Sequence, residues 1–162
     1  MRSELITYGL LGALAIGLLT AAFTDLRRRQ IDNWLNAAVA LAAPAFWWAS
    51  GLDLWPDVAW QLGIAALTFL VCAGLFALRM MGGGDVKLLA ALALWIQPMH
   101  FAWLVVAMSL IGALLTIVFA GWHIARRQPG RAAIPYGVAI CAAGLLTLAD
   151  KSLPTLQALS VG

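Results

Sequence analysis

The chain has 162 residues, of which 64% are apolar and 10% are charged, and its formal net charge is +3. This composition excludes an ordinary soluble domain, because a chain of this length could not bury so many apolar side chains. It predicts one all-α integral membrane domain over residues 1–162. The small positive charge is explained by membrane topology, as described below, and indicates no nucleic-acid partner.

Apolar stretches follow one another along the chain and predict a bundle of six transmembrane helices. They cover residues 5–23, 34–50, 57–78, 86–96, 100–124 and 134–149. Most are long enough for a helix to cross a hydrocarbon core of about 30 Å. The fourth stretch has only eleven residues, which make about 16 Å of helix. It cannot cross alone, so we expect the segment before it to dip below the membrane surface.

Lysine and arginine residues are distributed unevenly between the two sets of loops. Eight of the ten lie in or beside the loops after the first, third and fifth stretches, namely three in residues 24–33, two around residues 79–87 and three in residues 123–133, whereas Arg2 and Lys151 lie on the other side. Because cytoplasmic loops carry such an excess, we expect a multi-pass protein of the cytoplasmic membrane, in contact with its lipids. Both termini would be outside, and the three cationic loops would be cytoplasmic.

Two further features agree with this topology. Arg27, Arg28 and Arg29 directly follow the first stretch, and they would retain it as an anchor rather than as a cleaved signal peptide. Trp47 and Trp95 fall near predicted external helix ends, which is typical of interfacial anchors.

The first cytoplasmic loop contains two acids within "FTDLRRRQIDNWL", residues 23–35. Asp25 comes directly after the first apolar stretch, at the predicted membrane edge. Asp32 follows the arginines, and we expect it to cap the second helix ahead of Trp34. It is nevertheless a rival to Asp25 as a catalytic acid.

The segment before the fourth helix reads "RMMGGGDVKLLAAL", residues 79–92. Gly82, Gly83 and Gly84 predict a non-helical dip, because glycine accepts positive φ and lets another backbone approach closely. Asp85 would begin the fourth helix, where free amides and the helix dipole favour an anion. In the alternative interpretation, Asp85 is only a helix cap on a tight cytoplasmic turn, and Lys87 reaches towards the membrane surface.

The predicted topology places Asp25 and Asp85 on the same side of the membrane. Two carboxyl groups near one wet pocket cannot both ionise cheaply, so one of them keeps its proton. Such a pair can activate water against a peptide carbonyl and then protonate the leaving amine. The pair therefore predicts aspartic proteolysis. Two alternatives are a small proton-coupled transporter, because intramembrane acids often mark ion pathways, and a non-catalytic scaffold of a secretion or pilus system.

Cysteine and histidine residues give no indication of a metal site or a cofactor. Cys72 and Cys141 stand alone within apolar stretches, and we expect both to be small buried apolar side chains. His100 and His123 lie near predicted helix ends and are not spaced with other ligand types.

These motifs resemble those of the type IV prepilin peptidases, which are membrane aspartic proteases of the GxGD type. Asp25 with "LRRRQI" and Asn33 is similar to the first motif of that family. "GGGDVKLLAAL", residues 82–92, is similar to the second, and "IPYGVAI", residues 134–140, resembles a third and looser segment. Asp32 stands where the family usually has proline.

The resemblance implies a core of six transmembrane helices with Asp25 and Asp85 as the catalytic residues. The glycines before Asp85 would receive an extended scissile segment, and Lys87 is a candidate substrate contact. The substrate would be a prepilin or pseudopilin of a type IV pilus or secretion system, in the bacterial inner membrane. Its short basic leader would be cut after a glycine on the cytoplasmic side.

Larger bifunctional family members also N-methylate the new pilin terminus and carry an extra segment with paired cysteines. This chain has no such segment between its predicted helices. It therefore resembles the short form associated with Flp pili or Tad systems, for which we expect no methyl transfer.

Overall fold

The computed structural model describes the backbone of residues 2–126 and 134–160 and the side chains of residues 3–126 and 134–150. All regular structure within these ranges is helical, as the composition predicts. The elements are α1 (Arg2–Arg28), α2 (Asn33–Ala49), a π-helical turn (Leu54–Val58), α3 (Ala59–Ala77), α4 (Gly83–Ala93), α5 (Pro98–Ala125) and α6 (Tyr136–Ser160).

Three described segments are long and apolar enough to cross a membrane, namely Ser3–Arg28, Leu54–Ala77 and Pro98–Ala125. Tyr136–Asp150 is a shorter apolar helix. Many large apolar side chains on these helices point away from the protein, such as Leu110 on α5, and lipid tails would cover them. The protein is thus suited to a membrane, whereas the crossing of all six helices stays a prediction.

The short helix α4 is packed inside the bundle, where it contacts α2, α3 and α6. Its buried side chains include Val86, Leu88, Leu89 and Leu92. An eleven-residue helix is marginal when isolated in water, so tertiary packing must hold it in place.

Helix α2 holds α4 by hydrogen bonds near both of its ends. Near the start of α4, Asn36 Nδ2 donates to the Gly84 carbonyl at 3.2 Å. Beyond the last turn, Trp47 Nε1 donates to the Leu94 carbonyl at 2.7 Å. The carbonyls at a helix C-terminus lack partners within the helix, so the Trp47 bond satisfies one of them.

Trp95 is not the interfacial anchor that its position in the sequence predicts. Its side chain is only 2% exposed, its ring stacks on Phe46 with centroids 5.0 Å apart, and its Nε1 donates to the Val39 carbonyl at 2.9 Å. The interfacial assignment is wrong because α4 lies inside the bundle, so a residue at its end meets α2 rather than lipid headgroups.

The predicted non-helical dip at the three glycines is also wrong in its extent. Gly83 and Gly84 already belong to the first turn of α4, and only Gly82 is extended, with φ −74° and ψ 141°. None of these three described glycines has a positive φ, and left-handed backbone occurs instead at Arg29 and Arg79, with φ of 53° and 59°. These arginines follow the ends of α1 and α3, where the chain turns.

Candidate active site

Asp25 lies in the last turn of α1 and faces the first turn of α6. Its side chain is 6% exposed. Its Oδ2 accepts a hydrogen bond from the Val138 amide at 3.3 Å, and the Gly137 amide is a second donor. Amides in the first turn of a helix have no partners within it, so the Asp25 carboxylate satisfies donors of α6. The Arg29 charge also acts on this carboxylate.

Asp85 lies in the first turn of α4, outside the three segments long enough to span a membrane. Its carboxylate accepts a hydrogen bond from the Gly82 amide, so it caps α4 as the alternative interpretation expects. Burial, and then the charge of Asp25, raises the pKa of Asp85 to about 6. The cap is therefore also an acid that holds its proton unusually well.

One cavity of about 430 Å³ brings the two predicted acids together. Asp25 and Arg29 line it from the end of α1, residues 30–33 from the following turn, and residues 82–84 with Asp85 from the start of α4. Its lining is mostly polar, as a site for water and a peptide bond requires.

Asp32 also lines this cavity. It occupies the N-cap position of α2 with an extended backbone, and its carbonyl accepts hydrogen bonds from the Leu35 and Asn36 amides. Its side chain, however, makes no capping hydrogen bond to the described residues of that helix. The predicted side-chain cap is wrong, because Asp32 lines the cavity and does not bond the free amides of α2 through its side chain.

A second backbone segment lies close to Gly84, but this segment belongs to the same chain and not to a substrate. A Cβ on Gly84 would be 3.1 Å from the Cβ of Ile31 and 3.3 Å from its backbone N and O. A Cβ on Gly83 would instead be 3.2 Å from the ring of Phe76. Gly84 therefore sets how closely α4 approaches the turn between α1 and α2.

Lys87 is exposed and lies outside the residues that line the cavity. Its Nζ donates to Asn33 Oδ1 at 2.8 Å. Both residues line an adjoining apolar groove of about 420 Å³. Lys87 thus contacts the first residue of α2 and lies beside the cavity rather than in it.

Sequence reasoning missed two residues that position this site. Asn36, 4% exposed, bonds the Gly84 carbonyl, and its Oδ1 has no partner among the described residues. An amide within an apolar stretch could have indicated this role. Gly137 fell within the segment 134–140 but was not singled out. The sequence feature that could have indicated its role is a glycine at the start of the last apolar stretch.

Within residues 3–126 and 134–150, no group of three His, Cys, Asp or Glu side chains is arranged to hold a metal ion. Cys72 and Cys141 are free thiols and are buried as expected.

Comparison with known proteins bears on this chemistry. The type IV leader peptidase family has a model that matches residues 12–117. This range contains Asp25, Asp85 and the whole of α4, and it ends before α6 begins. Neither a curated protein nor a solved structure matches the chain significantly. The family match covers well over half of the sequence and confirms the resemblance, so the chain belongs to the type IV leader peptidase family.

Proposed function

We propose that this chain is an aspartic endopeptidase that removes the short basic leader of prepilins or pseudopilins at the cytoplasmic face of the bacterial inner membrane. One observation carries the proposal: Asp25 and Asp85, far apart in the sequence, are both buried and share one polar cavity. Membership of a peptidase family favours hydrolysis over proton-coupled transport and over a non-catalytic scaffold.

The surroundings of the two carboxyl groups suggest their separate roles. Burial disfavours the charged form of Asp25, but two amide donors and the charge of Arg29 offset part of this cost. Asp85, whose pKa is raised to about 6, is the one of the two that holds a shared proton better. Asp25 is therefore the base, and Asp85 is the acid.

The reaction then needs only a water molecule between the two groups. Asp25 takes a proton from the water, whose oxygen bonds to the scissile carbonyl carbon while Asp85 protonates the carbonyl oxygen. As the C–N bond breaks, Asp25 gives its proton to the leaving amine, and Asp85 recovers a proton from a hydroxyl of the intermediate. The products are a carboxylic acid and an amine, and both aspartates regain their starting states.

The charge of the cavity suits a basic leader. Asp25, Asp32 and Asp85 line it together with Arg29. Three acidic residues against one arginine leave an excess of acidic groups even when Asp85 is protonated, and this excess attracts cationic peptide segments. The adjoining apolar groove shares Asn33 with the cavity, so apolar residues of the substrate can follow the scissile bond into it.

Cleavage of prepilins by purified protein in detergent tests the proposal, with the new N-terminus determined by mass spectrometry. Asp25→Asn and Asp85→Asn remove the proton transfers, so each should lower the cleavage rate at least about a hundredfold. Asp32→Asn should retain most of the activity. Asp57→Asn is the matched control, because Asp57 precedes α3 and lines a different pocket.

Full cleavage by Asp85→Asn would contradict the proposed dyad. An active Asp25→Asn together with an inactive Asp32→Asn would instead pair Asp32 with Asp85. Each variant must insert in membranes as the parent does, so that lost cleavage reports chemistry and not folding.

A further inference from the structure

Gly137 lies in the first turn of α6, directly against Asp25. A Cβ on Gly137 would be 2.8 Å from Asp25 Oδ2 and 2.9 Å from Asp25 Cγ. It would also be 2.9 Å from Ile31 Cδ1. These distances are well inside van der Waals contact, so a Cβ here would push the buried Asp25 carboxylate out of its present position.

We propose that Gly137 is a positioning residue for catalysis, because its missing side chain lets the first turn of α6 hold the Asp25 carboxylate in the orientation of a base. This inference rests on the proposed aspartic peptidase function. It adds a third chain segment to the site, one that lies beyond residues 12–117, where the family match ends.

The geometry explains why any side chain at residue 137 would be harmful. The Val138 amide reaches Asp25 Oδ2 at 3.3 Å, and the Gly137 amide is the second donor. A methyl group would occupy the space through which these donors approach. The positive end of the α6 dipole also favours the carboxylate only at short range. Displacing a reacting group by about 1 Å can cost about a hundredfold in rate.

Ile31 connects this contact to the other half of the site. Its Cδ1 packs towards Gly137, whereas its Cβ and backbone pack against Gly84. The first turns of α6 and α4 therefore meet on opposite parts of one buried isoleucine. The relative position of Asp25 and Asp85 depends on both glycines.

Gly144 supplies the matched control within the same helix. It lies seven residues, or about two turns, after Gly137, and so on the same face of α6. A Cβ on Gly144 would be 3.0 Å from Leu18 Cδ1, the end of an apolar side chain. Gly144→Ala thus introduces the same methyl group against the same helix, α1, without touching a carboxylate.

Prepilin cleavage by the two alanine variants is the first measurement. Gly137→Ala should lower kcat about tenfold or more and leave KM unchanged, because substrate contacts remain while the base is displaced. Gly144→Ala should keep kcat within about twofold of the parent. A parental kcat for Gly137→Ala, or an equal loss for both variants, would overturn the inference.

Thermal unfolding in detergent is the second measurement, and it requires no substrate. Gly137→Ala should lower Tm in the parent chain. It should lower Tm much less in an Asp25→Ala background, because the carboxyl group that the new methyl group would contact is absent there. If Gly137→Ala fails to accumulate in the parent chain, accumulation of the double variant supports the inference. Equal destabilisation in both backgrounds, or absence from both, overturns it.

The two measurements separate this inference from the proposed function. Failure of the parent protein to cleave any prepilin tells against the function, whereas the coupling of Gly137 to Asp25 is decided by unfolding alone. Cleavage without that coupling leaves the peptidase proposal intact and removes the role of Gly137.

Discussion

Gly84 and Gly83 are adjacent glycines, but the groups that they contact differ in how easily they can move. A methyl group on Gly84 would press on the backbone of Ile31, which can move only with the whole turn. A methyl group on Gly83 would meet the ring of Phe76, a side chain that is 53% exposed and free to rotate away. The two alanine substitutions should therefore differ, although both glycines have ordinary helical backbone.

We expect Gly84→Ala to lose at least about tenfold in cleavage rate, because it shifts α4 and Asp85 against the turn that carries Ile31. Its free energy of unfolding should fall by about 1–3 kcal/mol, the usual cost of overpacking. Gly83→Ala should stay active. Cleavage rate and thermal stability of both variants, measured side by side, check this prediction, and two equally active enzymes would contradict it.

At this scale the sequence predicted the two acids but not the contacts that orient them. Asp25 and Asp85 could be paired because the predicted topology puts them on one side of the membrane. The hydrogen bond from Asn36 to Gly84 joins residues 48 positions apart, and that from Val138 to Asp25 joins residues 113 apart. No local pattern encodes such contacts. A glycine run, likewise, is compatible with both helical and left-handed backbone.

Among the helices, α4 depends most on its neighbours, because eleven residues form too short a helix to be stable alone. Trp47→Phe keeps most of the aromatic packing and removes the hydrogen bond to the Leu94 carbonyl. We expect the free energy of unfolding to fall by about 1 kcal/mol. Cleavage should persist, because Leu94 lies at the opposite end of α4 from Asp85.

Trp48→Phe is the control for this prediction, since Trp48 is the next residue of α2 and is 79% exposed. Thermal unfolding of the two variants in one detergent makes the comparison. Equal destabilisation would show that the bond to Leu94 contributes nothing specific to α4.

Helix order and the brevity of α4 could be predicted because hydropathy reports apolar length directly. The start of α4 could not, because Gly83 and Gly84 precede the apolar stretch and yet belong to the first turn of the helix. Hydropathy also cannot separate lipid-facing from protein-facing sides, so the buried position of Trp95 was missed.

For the whole molecule, the orientation in the membrane is the open prediction. A cysteine introduced at the exposed Gln30 should react with a membrane-impermeant thiol reagent only from the cytoplasm. A cysteine at the exposed Asp53 should react from outside, because it follows α2 at the other end of the bundle. The parent chain is the control, since Cys72 and Cys141 are buried.

Labelling of Gln30→Cys from outside would reverse the proposed orientation and move the acids to the wrong side for a cytoplasmic leader. The fifth loop offers a further position at Gly130, which lies outside the described residues. Charge distribution predicts the same side for both loops.

The hydrogen bond between Asp25 and Val138 joins the first described helix to the last. Chains are synthesised from the N-terminus, so Asp25 and Asp85 are made well before Gly137 and Val138. A nascent chain that has reached α5 holds both acids but lacks the donors that orient one of them. On the proposed mechanism, hydrolytic competence is thus delayed until α6 has been made and docked, and an interrupted translation product would carry both proposed catalytic acids without the finished site.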